Sequence, residues 1–219
     1  MAKKNEIGII GLGKFGFSLG SALTNLGHDV VGVDLDAEHI RRAQDKLSHV
    51  YQADATDEKA LEQVGIKELD RVVVSTGESM EASILCVLNL QSLGVENIWV
   101  KAISEEHERV LYKIGVPYVV FPEAFVAFQL AHRLATPGIQ DYFGMGQDVV
   151  TREILISKWA GKTLRDLNLT NEYHVQVVAY RKNGEAQFTF VPEATRPFEQ
   201  GDVVVLIGKT ADVMKIDKF

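Results

Sequence analysis

Between residues 6 and 121, six short runs rich in β-branched residues alternate with longer segments whose apolar residues recur three or four apart. The runs are 6–10, 29–33, 50–53, 71–75, 97–101 and 118–121; the intervening segments are 15–26, 37–47, 58–64, 81–93 and 105–114. Alternation of strands and helices at this spacing is the signature of a parallel sheet with right-handed crossovers, covered by helices on both faces. This predicts α/β architecture, a Rossmann-like doubly wound parallel sheet of six strands with five crossover helices. Gly27, Gly94 and Gly115 each end a helical segment, where a left-handed cap suits glycine.

Beyond a sixth helical segment at 121–135, Thr136-Pro137-Gly138 breaks the pattern, and 143–147 contains two further glycines. From Val149 the texture turns strand-rich: 149–156, 174–180, 186–190 and 203–208 read as strands, joined by an Asn183-Gly184 hairpin turn, with helical candidates at 162–167 and 210–215. The expected organisation is a nucleotide-binding domain with its crossover helix over 1–136, a linker over 137–148, and a small α+β domain over 149–219.

The turn after the first strand reads Gly11-Leu12-Gly13-Lys14-Phe15-Gly16, a G-x-G-x-x-G pattern that is weak alone and gains weight from its place between strand and helix. Its first glycine permits the tight turn, its second lets backbone approach a pyrophosphate, and its third lets helix and strand pack closely. Phosphates then meet the unpaired N–H groups and positive end of the helix dipole. Asp34 ends the second strand, where its carboxylate can accept from ribose hydroxyls and would repel a 2′-phosphate; a dinucleotide of the NAD type is favoured over NADP. Ligands in such sheets lie beyond the carboxyl ends of the strands, which adds Asp54 and Ala55, then Thr76, Gly77 and Glu78, then Lys101 and Glu123 as candidates. Lys101 reads equally as a phosphate contact or a solvated lysine.

No catalytic apparatus accompanies this turn. None of the six histidines stands at metal-ligand spacing from Cys, Asp or Glu, and each reads as a surface or capping residue. The net charge of −7 and pI near 5.4 argue against nucleic acid as a partner. Cys86, the single cysteine, falls in an apolar helical pattern and reads as buried. With neither a signal-peptide pattern nor a run long enough to span a bilayer, a cytoplasmic chain without direct membrane insertion is expected. The residues supply a nucleotide site and leave out the chemistry, so no enzymatic activity is expected. A small NAD-dependent oxidoreductase, or a soluble NADH redox sensor, stands as the alternative.

With these residues in hand, the chain resembles the RCK family, the regulators of potassium conductance, and most closely its Ktr/Trk-type cytosolic subunits. The resemblance is carried by residues 10–16, 53–58, 78–85, 97–102, 107–115 and 121–123, and in the small domain by 160–169. It implies N-type and C-type RCK domains and a non-catalytic gating role. ATP, ADP or NAD(H) would bind the first domain; subunits would pair through the sixth helix, and dimers would assemble as an octameric ring against a membrane potassium channel or transporter subunit. By position, Gly11, Gly13 and Gly16 form the phosphate turn and Asp34 is the ribose acceptor. Lys14 stands where many relatives carry an arginine that reaches a terminal phosphate, and a lysine offers a point charge in place of a planar fork. Glu123 matches an acid that in some relatives holds a divalent or monovalent cation at the dimer interface, and reads equally as a helix-start glutamate favoured by the dipole. In some members the second module binds cyclic di-AMP between two copies. Thr170 stands where those members tend to have a basic residue, so that ligand is not carried over.

Overall fold

The structure is a computed structural model and describes residues 4–77, 79–135, 139–143 and 149–218. Its contacts divide the chain into two compact units, Met1–Glu123 and Ala124–Phe219.

In the first unit, β1 (Glu6–Ile10), β2 (Asp29–Asp34), β3 (His49–Gln52), β4 (Arg71–Val74), β5 (Ile98–Lys101) and β6 (Tyr118–Val120) form a parallel sheet in the order β3-β2-β1-β4-β5-β6. The crossovers are α1 (Lys14–Asn25), α2 (Ala37–Ala43), α3 (Glu58–Val64), α4 (Met80–Ser92) and α5 (Glu105–Lys113), with a short 3-10 turn at Ile66–Glu68. This is the doubly wound sheet that the alternation predicts. Pleating sends successive residues to opposite faces: Ile7, Ile9 and Val73 pack in one core cluster, Ile10, Val72 and Val74 in the other. Both clusters are nearly closed to water, as expected where helices cover the inner strands on both faces, while the edge strands β3 and β6 stay partly exposed. Cys86 lies in the second cluster, fully buried.

Two expectations change here. The second helix ends at Ala43, well short of residue 47, with Leu47 turned into the core from the following turn. His107 is no surface residue: it is 1% exposed. The acidic neighbours Glu105, Glu106 and Glu108 hide the pattern, but residues 107 and 111 are one helical turn apart and both face the core.

The second unit opens with the rest of α6 (Pro122–Ala135), in which no residue is buried. It continues with β7 (Ile139–Phe143), β8 (Val149–Leu155), α7 (Leu164–Leu167), α8 (Leu169–Tyr173), β9 (Gln176–Arg181), β10 (Thr189–Phe190), β11 (Val203–Lys209), α9 (Thr210–Val213) and a 3-10 turn at Met214–Lys218. The strands make an antiparallel sheet in the order β10-β9-β11-β8-β7 over a core that includes Ile156, Phe198, Val204 and Leu206. The region expected as a linker differs: its residues 139–143 form an edge strand paired with β8. The Pro-Gly before it and the glycines after it mask five residues that gain ladder hydrogen bonds only once β8 is beside them. Residues 136–138 and 144–148 of that stretch lie outside the described residues. The helix α8 is likewise additional, set between Asn168 and His174, both in the left-handed conformation.

Candidate functional site

The carboxyl ends of β1, β2, β3 and β4 enclose a cleft of about 290 Å³ at the point where strand order reverses, between β1 and β4. Crevices in open α/β sheets form there because the connections from adjacent strands depart to opposite faces. Of the residues expected, Gly11, Gly13, Asp34, Asp54, Ala55, Thr76 and Gly77 line it, together with His39, Thr56 and Ser75.

The three glycines serve different ends. Gly11 has a φ of 92°, and a Cβ there would collide with the Ser75 carbonyl of the adjacent strand. A Cβ on Gly16 would collide with the Gly11 carbonyl, so its absence lets α1 seat on β1. Gly13 is unlike both: its φ is −58°, open to any residue, and a Cβ would meet no protein atom within 4 Å. Nothing in the fold of this unit requires glycine at 13, whereas a ligand approaching the backbone would.

Gly13 is also the N-cap of α1, and it makes no side-chain cap hydrogen bond. By contrast α2, α3, α4 and α5 are capped by Asp36, Asp57, Ser79 and Ser104, and each carries glutamate in its first turn. The start of α1 has no acid in its first turn, so its amide donors and dipole are left for an anion. A second donor points the same way: the Thr76 hydroxyl is buried beside the cleft without a hydrogen-bond partner among the described residues. These features fit a phosphate-bearing nucleotide.

Asp34 is held by the glycine turn and by the start of α2. Its Oδ2 accepts from Leu12 N–H at 2.6 Å and stands 3.0 Å from His39 Nδ1, while Oδ1 accepts from Asp36 N–H at 2.8 Å. Beneath the glycine turn, Arg42 of α2 donates to the Leu12 carbonyl at 2.6 Å and covers the Phe17 ring at 4.4 Å. Asp54 Oδ1 accepts from both the hydroxyl and the amide of Thr56, and these bonds hold its carboxyl below the usual range. From α4, Asn89 donates to the Thr56 carbonyl at 2.9 Å and so fixes that loop.

The remaining expected residues stand outside the cleft lining. Lys14 is exposed at the start of α1, and Phe15 turns its ring toward Lys101, whose Nζ lies 5.8 Å from the ring centroid. Lys101 donates to Glu123 at 2.7 Å and its side chain is 18% exposed, so it is neither free nor fully solvated. Glu78 lies outside the described residues. Among the described residues no group of three His, Cys, Asp or Glu side chains could hold a metal, and Glu123 offers one carboxylate already paired. His39, Arg42 and Asn89 escape a reading by motif. The one available signal for His39 is its place in the first turn of the helix that follows Asp34.

Residues 7–122 match the TrkA-N domain model and residues 152–219 the TrkA-C domain model. The chain belongs to the Ktr/Trk-type RCK family. Ktr system potassium uptake protein C of Bacillus subtilis (strain 168) is 36% identical over 98% of this RCK chain and 97% of its own length. Ktr system potassium uptake protein A of the same organism is 30% identical over 98% and 96%. Two solved structures share the fold: the GsuK RCK domain (TM-score 0.52, 20% identity, 98% of this chain) and the GsuK channel bound to NAD (TM-score 0.53, 21% identity, 99%). The RCK chain described here spans 46% and 38% of those two chains.

Proposed function

We propose that this chain is a nucleotide-sensing regulatory subunit that gates a potassium transporter or channel, binding ATP, ADP or NAD(H) without turning it over. The observation that carries the reading is the uncapped start of α1 at Gly13, set among the orphaned Thr76 hydroxyl and the anchored Asp34 carboxylate. Phosphates would take the α1 amides, and the ribose would reach Asp34. The relatives named as potassium uptake proteins support the transport context. A regulatory role is favoured over the oxidoreductase alternative because the titratable neighbours His39 and Asp34 engage each other at the ribose end of the cleft. Neither stands ready to exchange a proton with a substrate.

The partner would be a membrane potassium channel or transporter subunit, with this chain peripheral to it on the cytoplasmic side; no helix among the described residues is long and apolar enough to cross a membrane. Self-pairing through α6 is supported by the exposure of Phe125, Val126, Phe128, Leu130 and Leu134 along it, an apolar load that water disfavours. An octameric ring of such dimers would follow. A cation at Glu123 would have to compete with the Lys101 ammonium.

Thermal melts of the purified protein with ATP, ADP, NAD and NADH test the cleft: a ligand at a hundred times its dissociation constant adds about 2.7 kcal/mol. No shift with any of the four rejects the nucleotide site. Steady consumption of NADH with candidate acceptors rejects the regulatory reading in favour of catalysis.

A further inference from the structure

The geometry points to Arg42 as a positioning residue of the nucleotide site, one that holds the Gly13 backbone in the orientation a phosphate needs without touching the ligand. This inference rests on the proposed nucleotide site and names what preorganises it. The turn is anchored up to residue 12 by the segment 33–42. Gly11 N–H donates to the Val33 carbonyl at 2.8 Å, Leu12 N–H donates to Asp34 Oδ2 at 2.6 Å, and the Leu12 carbonyl accepts from Arg42 at 2.6 Å. The Leu12 side chain is itself fully buried. At Gly13 steric restraint ends, since a Cβ there would meet no protein atom within 4 Å among the described residues. A glycine so placed can visit positive φ about as readily as negative.

Arg42 supplies the missing restraint. In a planar trans peptide the C=O and N–H point opposite ways, so a guanidinium that holds the Leu12 carbonyl turns the Gly13 N–H away from itself. Gly13 lines the cleft and Arg42 does not. Arg42 Nη2 also stands 3.5 Å from the Gly13 carbonyl, which accepts from Phe17 N–H at 3.0 Å in the first bond of α1. The Phe17 ring, 4.4 Å from the guanidinium carbon, keeps the group in place. Arg42 is exposed in the last turn of α2, where the helix dipole favours any cation. The dipole does not account for a guanidinium bonded to Leu12, 30 residues away in the chain. Without Arg42 the ligand would have to order Gly13 as it binds, and fixing one backbone residue weakens a dissociation constant by about tenfold.

The test is a double-mutant cycle of Arg42→Met and Gly13→Ala, read as dissociation constants for ATP and NAD, each titrated separately by calorimetry. Methionine keeps an apolar stem against Phe17 and removes the donors. Arg42→Met alone should weaken binding about tenfold for whichever probe binds. In the Gly13→Ala background, where a methyl already denies the phosphate its approach, the same change should weaken binding by less than about twofold. A general loss of fold would weaken binding alike in both backgrounds, so the coupling between the two sites separates positioning from support of the fold. Undiminished affinity in Arg42→Met overturns the role. So does an equal loss in both backgrounds, which would mean that Arg42 meets the ligand or supports the fold independently of the turn. Failure of wild type to bind either probe overturns the underlying nucleotide site instead, and with it this inference.

Discussion

Lys101 Nζ, at the carboxyl end of β5, donates a 2.7 Å hydrogen bond to Glu123 Oε1 in the first turn of α6. It ties the end of β5 to the first turn of α6, inside the first unit. The Lys101 bond is the largest of the influences holding the Glu123 carboxyl below its ordinary value of 4.5. A carboxyl depressed in the folded state stabilises above its unfolded pKa and loses that contribution as pH falls through the lowered folded value. Because Glu123 is 62% exposed, solvent screens the pair, and a double-mutant cycle with Lys101→Met and Glu123→Gln at pH 7 should give a coupling of about 1 kcal/mol or less. Below pH 4.5 the difference between wild type and Glu123→Gln should shrink; a gap that widens in acid would contradict this assignment.

Two glycines of one motif should fail in opposite ways. Gly16→Ala places a methyl group into the Gly11 carbonyl and should cost about 1–3 kcal/mol of stability as α1 is pushed off β1. Gly13→Ala meets no protein atom and should cost at most about 1 kcal/mol at the helix cap. The same methyl stands where a phosphate would approach, so nucleotide affinity should drop at least about tenfold, the loss of a single good hydrogen bond or more. Chemical denaturation paired with calorimetric titration separates the two effects.

Asp34 does structural work before any ligand arrives, since it takes the Leu12 and Asp36 amides. Asp34→Ala should weaken nucleotide binding and also lower unfolding stability by roughly 1.5–3 kcal/mol, the range for a hydrogen bond to a charged group. Asp34→Asn, which keeps one acceptor oxygen, should recover part of the stability but little of the affinity. Equal affinity in wild type and Asp34→Ala would show that the ribose binds elsewhere.

His107 supplies a pH dependence of its own. It is buried, its Nδ1 accepts from Ile103 N–H at 3.4 Å, and its Nε2 has no partner among the described residues. Burial lowers its pKa below the ordinary 6.5, since desolvation disfavours the imidazolium. The unfolded chain then binds the proton more readily, so stability holds above pH 6.5 and declines as pH falls from there toward the lowered folded value. Asparagine at 107 keeps an acceptor near the Nδ1 position and cannot titrate. Urea melts at pH 7.5 and 5.5 should show His107→Asn losing less stability on acidification than wild type does.

Cys86 should be inert. Burial of this α4 residue in the core pushes its thiol up to about 12, with the Asp54 charge adding to the effect. The reactive species is the thiolate, which at pH 8 is then a fraction on the order of one in ten thousand. A thiol reagent such as iodoacetamide should label the protein in denaturant and leave the native form unmodified over the same interval; rapid native labelling would show that α4 opens.

The sequence by itself determined the architecture of the first unit and the outline of its site. Alternating β-branched runs and helical segments admit one kind of sheet, and G-x-G-x-x-G with Asp34 at the next strand end marks where a phosphate and a ribose can be met. These features are local in the chain, so periodicity and spacing report them. The tertiary structure alone decided which side chains converge from distant segments: Arg42 on Leu12, Asn89 on the Thr56 loop and Lys101 on Glu123. It also decided that Gly13 is open where Gly11 and Gly16 are crowded, and that β7 finds a partner in β8. Such facts depend on long-range pairing and on the space left after packing, and neither quantity is written in the order of residues along one segment.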